Sequence, residues 1–312
     1  MTATSDLESR AAAGELEAQF ELGSELLSFP DSARSFTRGA ALVEAAALQG
    51  HAEAMSMLAT LEAIGAGRPR NWIRALDLLR SAAARGSEQA AGQLRLLGGA
   101  NAGVEIAALL RAPPPTPLSE RPRLRVFEGF ARAAECRWII DRMRCRLGPA
   151  MVWDDADGRG KVDPVRSNSA VELRLAAMDV VTALVRARIA AATALPEAIF
   201  EVPQVMHYSV GQEFRPHHDF LDPGEPGPAA DIARRGQRMG TFLLYLNDDF
   251  EGGETEFPRA GLSHRGRAGD ALFFANVLPD GRPDALTVHS GRSPRRGEKW
   301  ILSQWIRDRI PG

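Results

Sequence analysis

The chain has 312 residues, 45% of them apolar, with a formal charge of −2 and a pI near 6.3. That much apolar material can bury a sizeable core, and the length favours about two domains. A near-neutral balance supplies no long-range field for polyphosphate, so nucleic acid and anionic membranes are not expected as main partners.

The first residues, Met-Thr-Ala-Thr-Ser-Asp-Leu-Glu, carry neither a basic nor an apolar leader pattern. No apolar run approaches the ~18 residues of a membrane helix, so the expected location is the cytoplasm. Only Cys136 and Cys145 are present. On one helix, at about 1.5 Å rise per residue, they would lie too far apart for an unstrained disulfide. Both are expected to be buried thiols in a reducing compartment.

The first hundred residues repeat. Gly14, Gly50 and Gly86 stand 36 positions apart, as do Ala18, Ala54 and Ala90, and Leu22, Leu58 and Leu94. Phe36 matches Trp72, and the Ala45-Ala46 and Ala82-Ala83 pairs lead into the glycines. Small residues let helices pack closely and glycine ends them, which predicts helical hairpins. Residues 8 to 98 resemble the Sel-one-like branch of the tetratricopeptide superfamily, which implies a short solenoid. Such a stack offers a surface to a protein partner or serves as a packing scaffold. His51, at a repeat turn, is expected to be a surface residue.

Domain boundaries are expected at 1–99 for the repeats, 100–122 for a linker rich in proline (Ala-Pro-Pro-Pro-Thr-Pro), and 123–312 for a second domain. In that domain Leu124 to Glu128 reads as a strand and Ala131 to Leu147 as a helix. Val171, Leu175, Met178, Val181 and Val185 fall on one helical stripe, closed by Leu195-Pro196 and expected to buttress a sheet. From Glu201 the period becomes two, giving strands at 202–208, 241–246, 255–257, 270–274 and 299–306. The fold class is therefore α+β, an α-solenoid followed by a double-stranded β-helix, or jelly roll, buttressed by helices.

The chemistry lies between Met206 and Asp222. On a strand, residues i and i+2 share a face, so His217 and Asp219 can reach one point while His218 faces away. His289 would complete a face of two histidines and a carboxylate, leaving the other positions of an octahedral Fe(II) open. Lys299 follows ten residues later, sharing a strand face with Ile301, Ser303 and Trp305. An inward ammonium needs an anion, and a dicarboxylate co-substrate would supply one. Tyr208 and Thr241 could donate hydrogen bonds to the same carboxylate, or simply pack in the core. Two histidines and an aspartate also suit a zinc hydrolase, which gives Lys299 no role.

Tyr208 to Gln212, His217 to Asp219, Tyr245 to Asp248, Gly252 to Pro258, His289, Gly297 to Trp300 and Trp305-Ile306 together resemble the prolyl 4-hydroxylase branch of the 2-oxoglutarate and Fe(II)-dependent dioxygenases. The resemblance spans residues 123 to 312. It implies iron on His217, Asp219 and His289, with Lys299 as a further catalytic residue. It also implies a 2-oxoglutarate pocket of Lys299, Tyr208, Thr241 and Trp305, O2 as oxidant and ascorbate as reductant. The product side would be succinate, CO2 and a hydroxylated peptide or protein. Arg166 to Ser169 resembles an arginine-serine stretch of the family, and 153–168 and 222–237 lie where family members fold loops over a peptide. Gly252 and Gly253 are expected to form a structural turn.

Phe214 stands where many relatives have tyrosine, and Arg307 where a histidine is common. These departures keep open the same chemistry on a free amino acid, another side chain or a small molecule. A repeat-borne binding module with an inert oxygenase domain is the alternative of a different class.

Overall fold

Three backbone turns with the same hydrogen-bond pattern set the architecture of the first part of this computed structural model. Gly14, Gly50 and Gly86 have φ of 88°, 101° and 91°, a left-handed conformation that costs glycine nothing. Each donates its N–H to a carbonyl three residues back, and the next residue reaches five residues back: Glu15 to Arg10 (3.1 Å), His51 to Ala46 (3.1 Å) and Ser87 to Ala82 (3.1 Å). This Schellman pattern closes each helix with its last carbonyls satisfied. His51 and Ser87 then cap the following helices, accepting N–H bonds from Ala54 (3.1 Å) and Ala90 (3.3 Å). His51 is thus half-buried in a turn, its other ring nitrogen 3.0 Å from Glu17.

The structure describes residues 3–28, 32–99, 105–154, 159–161 and 165–310. It divides into two compact units, Met1–Arg111 with Arg174–Arg188, and Ala112–Leu173 with Ile189–Gly312.

The first unit holds α1 (Ala3–Ala12), α2 (Leu16–Ser28), α3 (Ala33–Leu48), α4 (Ala52–Ile64), α5 (Trp72–Ala84), α6 (Glu88–Leu96) and α7 (Ile106–Leu110). Ala18, Ala54 and Ala90 are fully buried, with Leu22, Leu58 and Leu94 beside them. A β-carbon on Gly39 would come within 3.0 Å of the Gly23 carbonyl, so α2 and α3 approach closely only because both positions lack side chains. Val180, Ala183 and Leu184 join this core.

The expected helix from Val171 is overturned. Asp179 and Thr182 form a reciprocal cap, the Asp179 side chain accepting from the Thr182 N–H (2.8 Å) and the Thr182 hydroxyl from the Asp179 N–H (2.8 Å). That cap starts the helix, α9 (Val180–Thr193), nine residues later than the apolar stripe suggests. The expected helix 131–147 is shorter, α8 (Ala133–Met143), followed by a 3₁₀ turn. Cys136 is buried as expected, but Cys145 lies in that turn and is exposed; both thiols are free.

The second unit carries β1 (Thr116–Glu120), β2 (Arg123–Phe127), β3 (Gly148–Pro149), β4 (Val152–Asp154), β5 (Arg159–Lys161), β6 (Ser169–Glu172), β7 (Gln204–Tyr208) and β8 (Phe214–His217). After α10 (Pro226–Arg235) come β9 (Arg238–Tyr245), β10 (Glu251–Gly252), β11 (Thr255–Phe257), β12 (Leu262–His264) and β13 (Ala271–Ala275). β14 (His289–Gly291), β15 (Pro294–Arg296) and β16 (Lys299–Arg307) complete it.

The major sheet runs β1-β2-β13-β9-β16-β7-β6-β3 and the minor sheet β12-β11-β14-β8. Leu124, Met206, Tyr208, Leu243, Phe257, Phe274 and Ile301 are buried in one core cluster of this jelly roll. Part of the expected linker is strand: β1 takes Pro117 without losing a ladder bond partner because it is the edge of the sheet. The stretch 222–237 is mostly helix α10 rather than loop. Of the other expected loop, residues 155–158 and 162–164 lie outside the described residues, and the rest includes the β4–β5 pair.

Gly39→Val is expected to cost about 1–3 kcal/mol by overpacking the α2–α3 crossing. Gly86→Ala, whose added carbon meets nothing, should cost about 1 kcal/mol through backbone strain alone. Chemical denaturation followed by helical circular dichroism distinguishes the two.

Candidate active site

Register in the two sheets brings residues far apart in sequence to one place. In the minor sheet His289 pairs directly with His217, and in the major sheet Lys299 pairs with Tyr208 and Trp305 with Thr241. Alternation along β16 sends Lys299, Ile301, Ser303 and Trp305 to the same side, where they line a cleft with Tyr208, Phe214, His217, Asp219, Thr255 and His289.

Nitrogen or oxygen atoms of His217, Asp219 and His289 all lie within 4.8 Å of one another. His217 Nε2 is 3.7 Å from Asp219 Oδ1, and His289 Nε2 is 3.6 Å from Asp219 Oδ2. The far nitrogens are engaged, His217 Nδ1 with the Arg215 carbonyl (2.8 Å) and His289 Nδ1 with the Thr287 carbonyl (3.0 Å). A carbonyl accepts only, so each Nδ1 carries a proton and each Nε2 is the atom turned to the shared point. Burial, reinforced by the neighbouring His289, pushes His217 down and keeps it neutral. Burial would raise Asp219, but the two histidines and the Thr241 hydroxyl outweigh it and hold the carboxylate ionised. Two imidazoles and one carboxylate, with room beside them, suit a divalent ion such as Fe(II). His218 is exposed, as the strand alternation requires.

Phe214 stacks face to face on His217, with centroids 3.5 Å apart, and the Arg166 guanidinium sits 4.9 Å from the Phe214 ring centre. Arg166 is itself buried, donating to Asn168 Oδ1 (3.3 Å), the Met151 carbonyl (3.2 Å) and Gln204 Oε1 (2.9 Å).

Lys299 is fully buried, and its ammonium has no hydrogen-bond partner among the described residues. It lies 5.1 Å from the Tyr208 ring centre. Burial lowers its pKa to about 7, with Glu254 opposing weakly. Gly253 supports the stem: its φ is 68°, and a β-carbon there would sit 3.3 Å from Lys299 Cδ. Gly252 likewise has φ of 73°, so the expected glycine turn is present. Burial pushes the Tyr208 phenol up to about 12, so it stays protonated and able to donate near neutral pH. Trp305 Nε1 is a second buried donor without a partner. A buried cation beside the Trp305 N–H and the Tyr208 hydroxyl, the latter held only by a long bond to Met206 Sδ (3.8 Å), fits the distal carboxylate of 2-oxoglutarate.

Two sequence expectations change. Thr241 donates its hydroxyl proton to Asp219 Oδ2 (2.7 Å), so it serves the carboxylate instead of the co-substrate. Thr255, at the start of the expected strand 255–257 and not among the expected site residues, lines the cavity; its oxygen accepts the Tyr245 hydroxyl (2.9 Å), leaving its own proton to give. The alternation of β11 could have revealed it. Arg307 is not among the cavity-lining residues: it is buried against Glu201 (2.6 Å) and donates to Asp231 (2.8 Å) on α10.

Because the folded pKa of Lys299 lies below its unfolded value near 10.5, the unfolded chain binds more protons between those limits. Without co-substrate, stability should therefore rise as pH increases from about 7 towards 10.5. Lys299→Met should be more stable than the parent at pH 6, and denaturant midpoints across this range should show a flatter profile for the variant.

The 2OG-Fe(II) oxygenase superfamily model matches residues 203–307. A probable prolyl 4-hydroxylase of Arabidopsis thaliana is 34% identical over 212 residues, covering 61% of this chain and 70% of that protein. Among solved structures, a viral collagen prolyl hydroxylase from Paramecium bursaria Chlorella virus-1, in complex with 2OG, aligns with 24% identity and TM-score 0.45 over 59% of this chain and 95% of its own. A Sel1 repeat protein from Oxalobacter formigenes aligns with 25% identity and TM-score 0.30, over 35% and 84% respectively. The chain belongs to the 2OG-Fe(II) oxygenase superfamily, in its prolyl 4-hydroxylase-like branch.

Proposed function

We propose that this chain hydroxylates a prolyl residue of a peptide or protein, with His217, Asp219 and His289 holding Fe(II) and Lys299 holding the distal carboxylate of 2-oxoglutarate. The observation that carries this reading is the Lys299 ammonium, buried without an anion on the cavity where the three donor side chains converge. Left unpaired, such a charge costs several kcal/mol. A keto acid bound to the metal at one end supplies the missing anion at the other.

Bound Fe(II) with the keto acid and O2 supplies the oxidising chemistry: 2-oxoglutarate becomes succinate and CO2, and one oxygen atom enters a C–H bond. The protein's part is to hold and to exclude. Arg215 and Thr287 carbonyls fix the two imidazoles, and Tyr208, Thr255 and Trp305 offer donors to the bound carboxylate. The apolar lining from Met206, Leu243 and Ile301 keeps water from the reacting centre.

The prolyl substrate is supported by the named activity of the curated relatives. Phe214 favours a second reading, since its ring packs on His217 and offers no hydroxyl to a substrate: the same chemistry on a free amino acid, another side chain or a small molecule. The repeats, with Leu48 and Ile73 exposed on their surface, would recruit a protein partner. On this reading recruitment is assigned to 1–99 and catalysis to 123–312, joined by 100–122, although Arg174–Arg188 group with the repeats and the second unit begins at Ala112. A cytoplasmic location is supported by two free thiols and by the lack of any helix, among the described residues, long and apolar enough to cross a membrane.

Incubation with Fe(II), 2-oxoglutarate and a panel of proline-containing peptides should release succinate and add one oxygen to a proline, located by mass spectrometry. His217→Ala should lower turnover by about a thousandfold or more, as expected for loss of a metal ligand. Succinate release with oxygen added elsewhere would replace the prolyl substrate by the second reading, and a parent protein inert with every substrate would leave only the binding role.

A further inference from the structure

We infer that Asn276 and Thr241 form a one-way hydrogen-bond relay that fixes the carboxylate of Asp219, making Thr241 a positioning residue for the metal. This rests on the metal reading above.

The three side chains are buried together: Asn276 is 0% exposed, Thr241 1% and Asp219 5%. Asn276 Nδ2 donates to Thr241 Oγ1 at 3.0 Å, and Thr241 Oγ1 lies 2.7 Å from Asp219 Oδ2. A carboxylate that ligates a metal only accepts, so the proton in the shorter bond belongs to threonine. A hydroxyl has one proton to give; with that proton committed, its oxygen must accept from Asn276. The opposite amide orientation would set two acceptors against each other, so the direction of the chain from Asn276 through Thr241 to Asp219 is determined.

Each end is anchored. The Asn276 backbone N–H donates to the Met239 carbonyl (2.9 Å), and its carbonyl accepts from Asp284 (2.9 Å). Its amide oxygen has no partner, so the bond to Thr241 is the one that orients its side chain. Phe274, two residues before Asn276, pairs directly with Thr241 in the sheet. The relay therefore hangs from paired strands, while Asp219 itself lies beyond the end of β8. Without the threonine proton, Oδ2 keeps only the His289 imidazole 3.6 Å away, and the carboxylate is freer to turn about its last bond. With it, one lone pair of Oδ2 is occupied and Oδ1, facing His217, is left as the unshared ligand oxygen.

The test uses the full-length chain and Co(II) alone, without co-substrate, followed by visible absorption. Thr241→Val keeps the shape and removes the proton; it should weaken Co(II) binding by about tenfold to a hundredfold, the usual effect of removing a group that orients a metal ligand, and alter the spectrum. Thr241→Ser should restore parent affinity and spectrum, which a purely packing role would not predict. Asn276→Ala, which leaves threonine in place but unoriented, should fall between them and stands in should the valine variant fail to fold. Parent-like binding and spectra in both Thr241→Val and Asn276→Ala would overturn the relay alone. Failure of the parent to bind Co(II) would overturn the metal reading and the relay with it.

Discussion

A lysine ammonium with no partner, sealed inside a mostly apolar barrel, is the constraint on which the rest of the molecule depends. Such a group is tolerated only where the fold over-determines it and where something anionic is meant to meet it. Lys299 begins β16, a strand whose nine residues are all buried. Its backbone pairing with Tyr208 keeps its side chain on the interior face of the sheet. The cost of holding it there falls on the protein in the absence of an anion, and on the proposed reading it is returned when a dicarboxylate binds.

The metal side of the site follows from the same logic of register. His217 and Asp219 come from one strand end, His289 from the neighbouring strand, and their pairing leaves little freedom in how the donors face one another. A slip of one residue in β14 would turn His289 to the opposite face of the sheet. Carbonyls of Arg215 and Thr287 then settle which imidazole nitrogen bears the proton. The sheet sets position, and local backbone acceptors set protonation.

Much of this was legible in the sequence because it depends on periods. The period of two put Lys299, Ile301, Ser303 and Trp305 on one face and turned His218 outward. The period of 36 marked the repeat glycines, whose positive φ recurs three times. What was not legible depends on where hydrogen bonds go. The stripe from Val171 to Val185 has helical spacing, yet the Asp179–Thr182 cap starts the helix late and releases 169–172 to pair with β7. Thr241 faces the interior as the pattern requires, but only coordinates show that Asp219 claims its proton. Thr255 was hidden because a glycine-rich turn draws attention to backbone conformation, whereas the hydroxyl beside it faces the cavity. Arg307 has the same parity as Lys299, so alternation alone would send it to the cavity; the register shift between Ile306 and Arg307 against β9 and its pairing with Glu201 and Asp231 are not readable from the sequence.

The most direct measurement is calorimetric titration of 2-oxoglutarate into the Mn(II)-loaded protein, parent against Lys299→Met, with bound Mn(II) quantified in both. The account predicts one equivalent bound by the parent and loss of that binding in the variant while Mn(II) is retained. Equal affinity of the two proteins for 2-oxoglutarate would contradict it.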